Sequence, residues 1–159
     1  MDTPGSTPVE KVVAALHALD ATGKVHAFAE TVPTAAAAAE QLGCDVGAIA
    51  NSLIFSADGE PLLVLTSGAH RVDTRAVARM LGVAKLRRAD PEFVLRATGQ
   101  EVGGVAPVGH PEPVRTLVDT WLAKHDVVWA GAGDHNHMFP TTYDELLRMT
   151  GGRAVDVGD

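Results

Sequence analysis

I-A-N-S-L-I-F-S at Ile49–Ser56 and L-L-V-L-T at Leu62–Thr66 are two apolar runs of strand length, separated by Ala57-Asp58-Gly59-Glu60-Pro61. An Asp-Gly pair between two such runs is a strong short-range hairpin signal, because a two-residue turn that matches the twist of paired strands needs positive φ at both central positions. A hairpin means antiparallel pairing. A purely parallel, doubly wound sheet is therefore excluded, and the rest of the chain has to be fitted around an antiparallel nucleus.

Outward from the hairpin, helices and strands are interspersed. Val9–Leu19 carries apolar residues at helical spacing. Lys24–Glu30 alternates as an edge strand does. The Ala35–Ala39 run is the best available helix former, with Thr34 to cap it and Gly43 to end it. Beyond the hairpin, Asp73–Leu81 and Pro91–Thr98 read as helices. Val114–Val118 and Val127–Trp129 read as strands around a short helical segment at Thr120–His125. His137–Phe139 is a strand, Tyr143–Met149 a helix and Ala154–Val157 a last strand. The class is α+β, with a mixed sheet flanked by helices. Residues 1–8 read as a loose tail and 9–159 as one domain, since 159 residues with 46% apolar and 21% charged side chains suit a single globular unit.

No apolar run approaches the length of a membrane span, and Met1–Pro8 has neither the basic start nor the apolar stretch of a secretory signal. One cysteine, Cys44, allows no internal disulfide and no multi-cysteine zinc site. The expectation is a cytoplasmic protein with no membrane partner. A net charge of −7 argues against broad binding to DNA or RNA. That average conceals an island: residues 71–88 hold Arg71, Arg75, Arg79, Lys85, Arg87 and Arg88 against Asp73 alone. Such a cluster is either a solvated helix face or a local phosphate-contacting patch.

Gly99–His110 reads G-Q-E-V-G-G-V-A-P-V-G-H. Glycine permits close backbone approach and proline stiffens the turn, so this loop is either a plain connection or a device for aiming N–H groups at a carbonyl oxygen or phosphate. Its spacing fits neither the P-loop nor the dinucleotide fingerprint. A second cluster, Ala130-Gly131-Ala132-Gly133, precedes His135 and His137. An H-x-H pair suits zinc, with His110 or Asp134 as a third ligand, but equally suits surface or hydrogen-bonding histidines. Cys44 follows a helix-ending glycine without a basic neighbour and reads as a small buried hydrophobe. Ser52 and Ser67 lack a nucleophile-elbow context, so a serine or cysteine hydrolase has little support.

Taken in order, I-A-N-S-L-I-F at 49–55, L-V-L-T-S-G-A-H-R-V-D at 63–73, G-Q-E-V-G-G-V-A-P-V-G at 99–109 and W-A-G-A-G at 129–133 resemble the YbaK/ProX family. These are aminoacyl-tRNA deacylases related to the editing domain inserted in prolyl-tRNA synthetases. The most specific element is the G-x-x-x-P loop, here Gly103-Gly104-Val105-Ala106-Pro107. The resemblance implies a compact α+β domain with a mixed, barrel-like sheet flanked by helices, and hydrolysis, in trans, of the ester joining a wrong amino acid to the tRNA 3′ end. The loop would hold the substrate carbonyl through backbone amides, and a terminal-adenosine hydroxyl of the tRNA would help activate water. The implied partners are the 3′ end of a mischarged aminoacyl-tRNA and a synthetase in trans; no cofactor and no metal are implied. Gly103, Gly104, Val105 and Pro107 are the catalytic candidates by this resemblance, together with Asn51.

Asn51 marks a departure. The family motif has a substrate-binding and catalytic lysine there, and asparagine keeps a donor and an acceptor but loses the charge. Asn51 can orient water or the substrate amine, Arg71 or His70 can supply the missing charge, or turnover is lost and a non-catalytic module binding tRNA or aminoacyl-adenosine remains. By position, Ser67, Gly68, His70, Asp73, Gly131, Gly133 and His137 are substrate-binding candidates. Asp73 has helix capping as its alternative role, and His137 a place in the core. The six cations of the island would face acceptor-stem phosphates.

Overall fold

The computed structural model describes residues 7–32 and 34–158. The elements are α1 (Pro8–Ala18), β1 (His26–Ala27), α2 (Ala35–Leu42), β2 (Ile49–Ala57), β3 (Glu60–Ser67), α3 (Thr74–Leu81) and β4 (Leu86–Arg88). They continue with α4 (Pro91–Thr98), β5 (Arg115–Asp119), β6 (Val128–Gly131), β7 (His137–Thr141), α5 (Tyr143–Thr150) and β8 (Arg153–Val155). Single 3₁₀ turns at Val46–Ala48 and Thr120–Lys124 precede β2 and follow β5. Of the expected N-terminal tail, residues 1–6 lie outside the described residues, whereas Thr7 and Pro8 open α1: the Thr7 side chain accepts from the Glu10 amide, and the Glu10 carboxylate accepts from the Thr7 amide.

The hairpin forms as its sequence requires. Ala57 pairs with Glu60, so Asp58 and Gly59 alone make the turn, with φ of 52° and 93°. The Asp58 carboxylate accepts from the Ala84 and Lys85 amides, which hold it below the usual carboxylate range and tie the turn to the segment leading into β4.

Eight strands form one mixed sheet in the order β1-β7-β6-β2-β3-β5-β8, with β4 pairing β2 off this path. The apolar run of β3 places it centrally. Leu62, Leu63, Val64 and Leu65 are all 0% exposed, because strands flank β3 on both sides and side chains cover both faces. One face packs on Val12 and Leu16 of α1, Val94 of α4 and Leu146 of α5. The other packs on Val77 and Ala78 of α3, and near the start of β2 on Ala38 and Ala39 of α2.

The far edge of β2 is what creates a site. It pairs in parallel with β6 only at Ile49 and Ala50, and with β4 only from Phe55 to Ala57. Between them Asn51, Ser52 and Leu53 have no strand partner on that edge. The short β4 lies inside the basic island; its three residues give no alternation to read, so the sequence carries no signal for it. The edge strand expected over Lys24–Glu30 is reduced to His26–Ala27, paired with β7.

At the end of β5, Asp119 is fully buried. Its carboxylate accepts from the Ser67 amide (3.0 Å), the Trp121 amide (3.0 Å) and the His70 Nδ1–H (2.8 Å). It thereby joins the end of β3, the segment leading to α3 and the 3₁₀ turn. Asp119→Ala leaves two buried donors, the Ser67 amide and the His70 ring, and the part-buried Trp121 amide unpaired, and is expected to cost about 3 kcal/mol or more in urea unfolding; a loss below ~1 kcal/mol would contradict this bracing role.

Candidate functional site

The gap in the β2 edge opens into a cleft of about 60 Å³, space for several waters or a small acyl group. Asn51 and Ser52 line it from β2, Gly103 and Val105 from the glycine-rich loop, Gly131 from β6, and Asp134 and His137 from the β6–β7 connection and the start of β7. Val32, Ala35, Ala38, Ile49 and Met138 supply an apolar wall. The Ser52 hydroxyl is buried with no hydrogen-bond partner among the described residues.

The glycine loop is held from within. Gln100, 1% exposed, accepts from the Ala106 amide through Oε1 (2.6 Å) and donates from Nε2 to the Val108 carbonyl (3.3 Å). The Gly104 amide donates to the Glu101 carbonyl (3.0 Å). Among the described residues, the amides of Gly103 and Val105 have no acceptor. Gly103 is exposed and Val105 buried, and both line the cleft, so these two amides are the ones available there to a ligand oxygen. Gly103 takes φ of 89°, a conformation costly for any other residue.

The loop is also held from outside. The Gly133 amide donates to the Gly104 carbonyl (3.0 Å), and a Cβ on Gly104 would stand 2.6 Å from the Asp134 Cα. On the same connection the His137 Nδ1–H donates to the Asp134 Oδ1 (2.7 Å), which also accepts from the Asn136 amide (2.8 Å). Burial raises the Asp134 carboxyl. The His137 bond, the Asn136 amide and the charges of His137 and His135 outweigh it, and the group sits below its usual range.

Of the residues singled out in the sequence, the cleft thus brings together Asn51, Gly103, Val105, Gly131 and His137, with Gly104 directly behind. It does not include Ser67, Gly68, His70, Asp73, Gly133 or Pro107. The Ser67 hydroxyl donates to the Gly47 carbonyl (2.7 Å), and Gly68 packs on Val46. His70 is stacked on Trp121 (3.6 Å) and bonded to Asp119. Asp73 caps α3 by accepting from the Ala76 amide (3.0 Å). Gly133 packs on Pro8 and Val9, and Pro107 lines a separate recess with His110. The His110 Nε2–H donates to the Ala106 carbonyl, and burial lowers that imidazole's pKa. No group of three His, Cys, Asp or Glu among the described residues is arranged to hold a metal ion. Cys44 is half-buried beside α2, and burial pushes its thiol up.

The family described as the aminoacyl-tRNA editing domain matches residues 29–149, a span that holds the whole cleft. The chain belongs to the aminoacyl-tRNA editing domain family. The chain is 31% identical to the YwhH protein of Bacillus subtilis (strain 168) over 82% of its own length and 83% of that protein's. It is also 31% identical to a proline–tRNA ligase of Levilactobacillus brevis (strain ATCC 367), over 87% of this chain but only 24% of the ligase. A crystal structure described as a candidate trans-editing enzyme for prolyl tRNA synthetase superposes with a TM-score of 0.88 and 34% identity, covering 100% of this chain and 99% of that one. The expected relationship to prolyl-tRNA synthetase editing domains and the mixed α+β fold are both met.

In this editing domain the basic island lies away from the cleft. Arg75 and Arg79 on α3 and Lys85 and Arg87 at β4 line a shallow groove, and Arg88 lies over the Phe55 ring (5.8 Å). All six cations are at least partly exposed, and none makes an ion pair among the described residues. Arg87 pairs with Ser56, five residues along β2 from Asn51 and therefore about 17 Å from the cleft. Sequence reasoning missed the cleft-lining role of Thr34, Ala35 and Ala38, the brace Gln100 and the pairing of Asp134 with His137. Only the last had a local signal, an acidic residue three positions before a histidine.

At an unobstructed position Gly→Ala stabilises by about 0.4–1 kcal/mol. Gly104→Ala is expected instead to destabilise by about 1–3 kcal/mol in urea unfolding, because the methyl group meets the backbone at Asp134; a neutral or stabilising result would contradict the close approach.

Proposed function

We propose that this chain hydrolyses, in trans, the ester that joins a wrong amino acid to the 3′ end of a tRNA. The observation that carries this reading is the pair of acceptor-free amides at Gly103 and Val105, in a cleft that also holds Asn51, Ser52 and His137. An aminoacyl ester is already activated. Holding its carbonyl oxygen on two fixed donors while water attacks supplies the stabilisation such a reaction needs, with each donor contributing on the order of a few kcal/mol. Asn51 replaces a charged group by a neutral donor and acceptor, which suits orienting the substrate amine or the water. The apolar wall receives the side chain of a small amino acid. A tRNA substrate puts the activity in the cytoplasm, and no helix among the described residues is long and apolar enough to cross a membrane.

The groove of Arg75, Arg79, Lys85 and Arg87 supports a contact with the acceptor stem. About 17 Å corresponds to about five stacked nucleotides at ~3.4 Å each, so phosphates a few positions from the terminal adenosine reach these cations. The acidic remainder of the chain limits attachment elsewhere.

Purified protein incubated with tRNAs charged with alanine, serine, threonine or cysteine is expected to release at least one of them faster than buffer. Release of none would contradict the proposal, and tight binding without release would favour the non-catalytic module that the asparagine at position 51 allows. Asn51→Lys is expected to lower the rate of the active protein; a gain would favour the same second reading. In a separate test, Arg79→Glu with Arg87→Glu should weaken tRNA binding and reduce the slope of log K against log salt by roughly 0.7–0.9 for each phosphate the variant no longer neutralises, while leaving hydrolysis of an aminoacyl-adenosine unchanged. An unaltered slope would detach the basic groove from tRNA.

A further inference from the structure

The residue after Val105 is pinned at both of its backbone groups, and one of the two pins is a buried side-chain amide. Gln100 follows the last turn of α4, and its own backbone is fixed there. Its N–H donates to the Thr98 hydroxyl (3.0 Å), which donates in turn to the Gln100 carbonyl (3.1 Å) and the Val94 carbonyl (2.7 Å). From this anchor the side chain crosses the base of the glycine loop. The Ala106 N–H needs an acceptor and the Val108 carbonyl needs a donor, and a carboxamide supplies both from one planar group. The other pin is His110, whose Nε2–H donates to the Ala106 carbonyl (2.8 Å).

Peptide planarity carries this hold to the cleft. In a trans peptide unit the C=O and the N–H point in opposite directions. The Gly104 carbonyl accepts from the Gly133 amide, so the Val105 N–H of the same unit turns away from Gly133. The next unit is held from its other end. Its Ala106 N–H lies on Gln100 Oε1, which directs the Val105 carbonyl toward Gly131. The two peptide planes on either side of Val105 are thus each set by one hydrogen bond, and the second of these bonds belongs to Gln100. Gln100 itself does not line the cleft.

We infer that Gln100 is a positioning residue for the ester hydrolysis: it sets the peptide planes at Val105 so that the free N–H meets the carbonyl oxygen where negative charge develops. This rests on the ester-hydrolase reading above and deepens it. A donor slightly out of place still binds a neutral carbonyl, but it stabilises the charged transition state less. Loss of the Gln100 bonds should therefore lower the rate of the bound complex and leave substrate binding nearly as it was. A misplacement of about 1 Å is enough to cost on the order of 10² in rate.

The test is single-turnover deacylation, on whichever of the four charged tRNAs the wild-type protein hydrolyses, for wild type, Gln100→Met and Gln100→Glu. Methionine has a similar volume and cannot make the two bonds. It is expected to lower the saturating rate on the order of 10²-fold, with little change in the protein concentration that gives half of that rate. Glutamate separates positioning from loss of fold. As the neutral acid it accepts from Ala106 and donates to Val108, as glutamine does; ionised, it only accepts and sets a charge against the Val108 carbonyl. Its rate relative to wild type should therefore rise as pH is lowered from about 8 to about 5.5, the range into which burial moves a carboxyl. The titratable groups on the same loop, Glu101 and His110, are shared with the wild type, so the ratio reports position 100. A wild-type rate in Gln100→Met, or a loss confined to half-saturation, would overturn the inference and leave the ester-hydrolase reading standing. Wild-type protein that hydrolyses none of the four would overturn both. If Gln100→Met melts too early to assay, the glutamate variant decides: a ratio that does not change with pH would reject the role.

Discussion

At the cleft two backbones pass so closely that neither has room for a side chain. A Cβ on Gly104 would meet the Asp134 backbone, and a Cβ on Gly131 would stand 2.8 Å from the Val105 carbonyl oxygen. The Gly133–Gly104 hydrogen bond closes the contact. Everything proposed for the site depends on this approach, because it fixes the position of the loop's amides relative to β6, β7 and the acidic turn between them. Preorganised donors stabilise developing charge without reorganising, and here the rigidity comes from close packing of main chain on main chain.

The second condition is the incomplete pairing of β2. A strand paired along both edges would have sealed the space that the loop overlooks. By pairing with β6 at one end and β4 at the other, β2 leaves Asn51 and Ser52 beside an opening, while β3 on its other edge carries the apolar core. The hairpin thus serves stability on one edge and binding on the other. The cationic groove grows from the same strand, since β4 pairs with its far end.

Much of the fold is legible in the sequence because its determinants are local. Asp58-Gly59 dictates the hairpin. Thr34, Asp73 and Asp90 cap helices through their own side chains. The uninterrupted Leu62–Leu65 run identifies a strand, and burial on both faces accounts for its lack of alternation. The site is legible only in part, for a physical reason. The glycine loop advertises its freedom, but the surface it presses on is set by tertiary packing. Ser67 and His70 follow the hairpin in sequence, and Ser67 even pairs with Ala50, yet they lie on the β3 side of β2 while the cleft opens on the other edge. In sequence Asp134 reads only as a candidate metal ligand; its bond to His137 depends on a turn whose course no local propensity fixes.

The most direct measurement follows backbone amide resonances by NMR while adenosine carrying alanine through an amide, in place of the ester, is titrated in. If the loop receives the acyl oxygen on its free donors, the Gly103 and Val105 amides shift together with Asn51, whereas Gly104 and Ala106, already bonded to Glu101 and Gln100, stay near their original positions. Saturable binding that leaves Gly103 and Val105 unmoved would contradict the account.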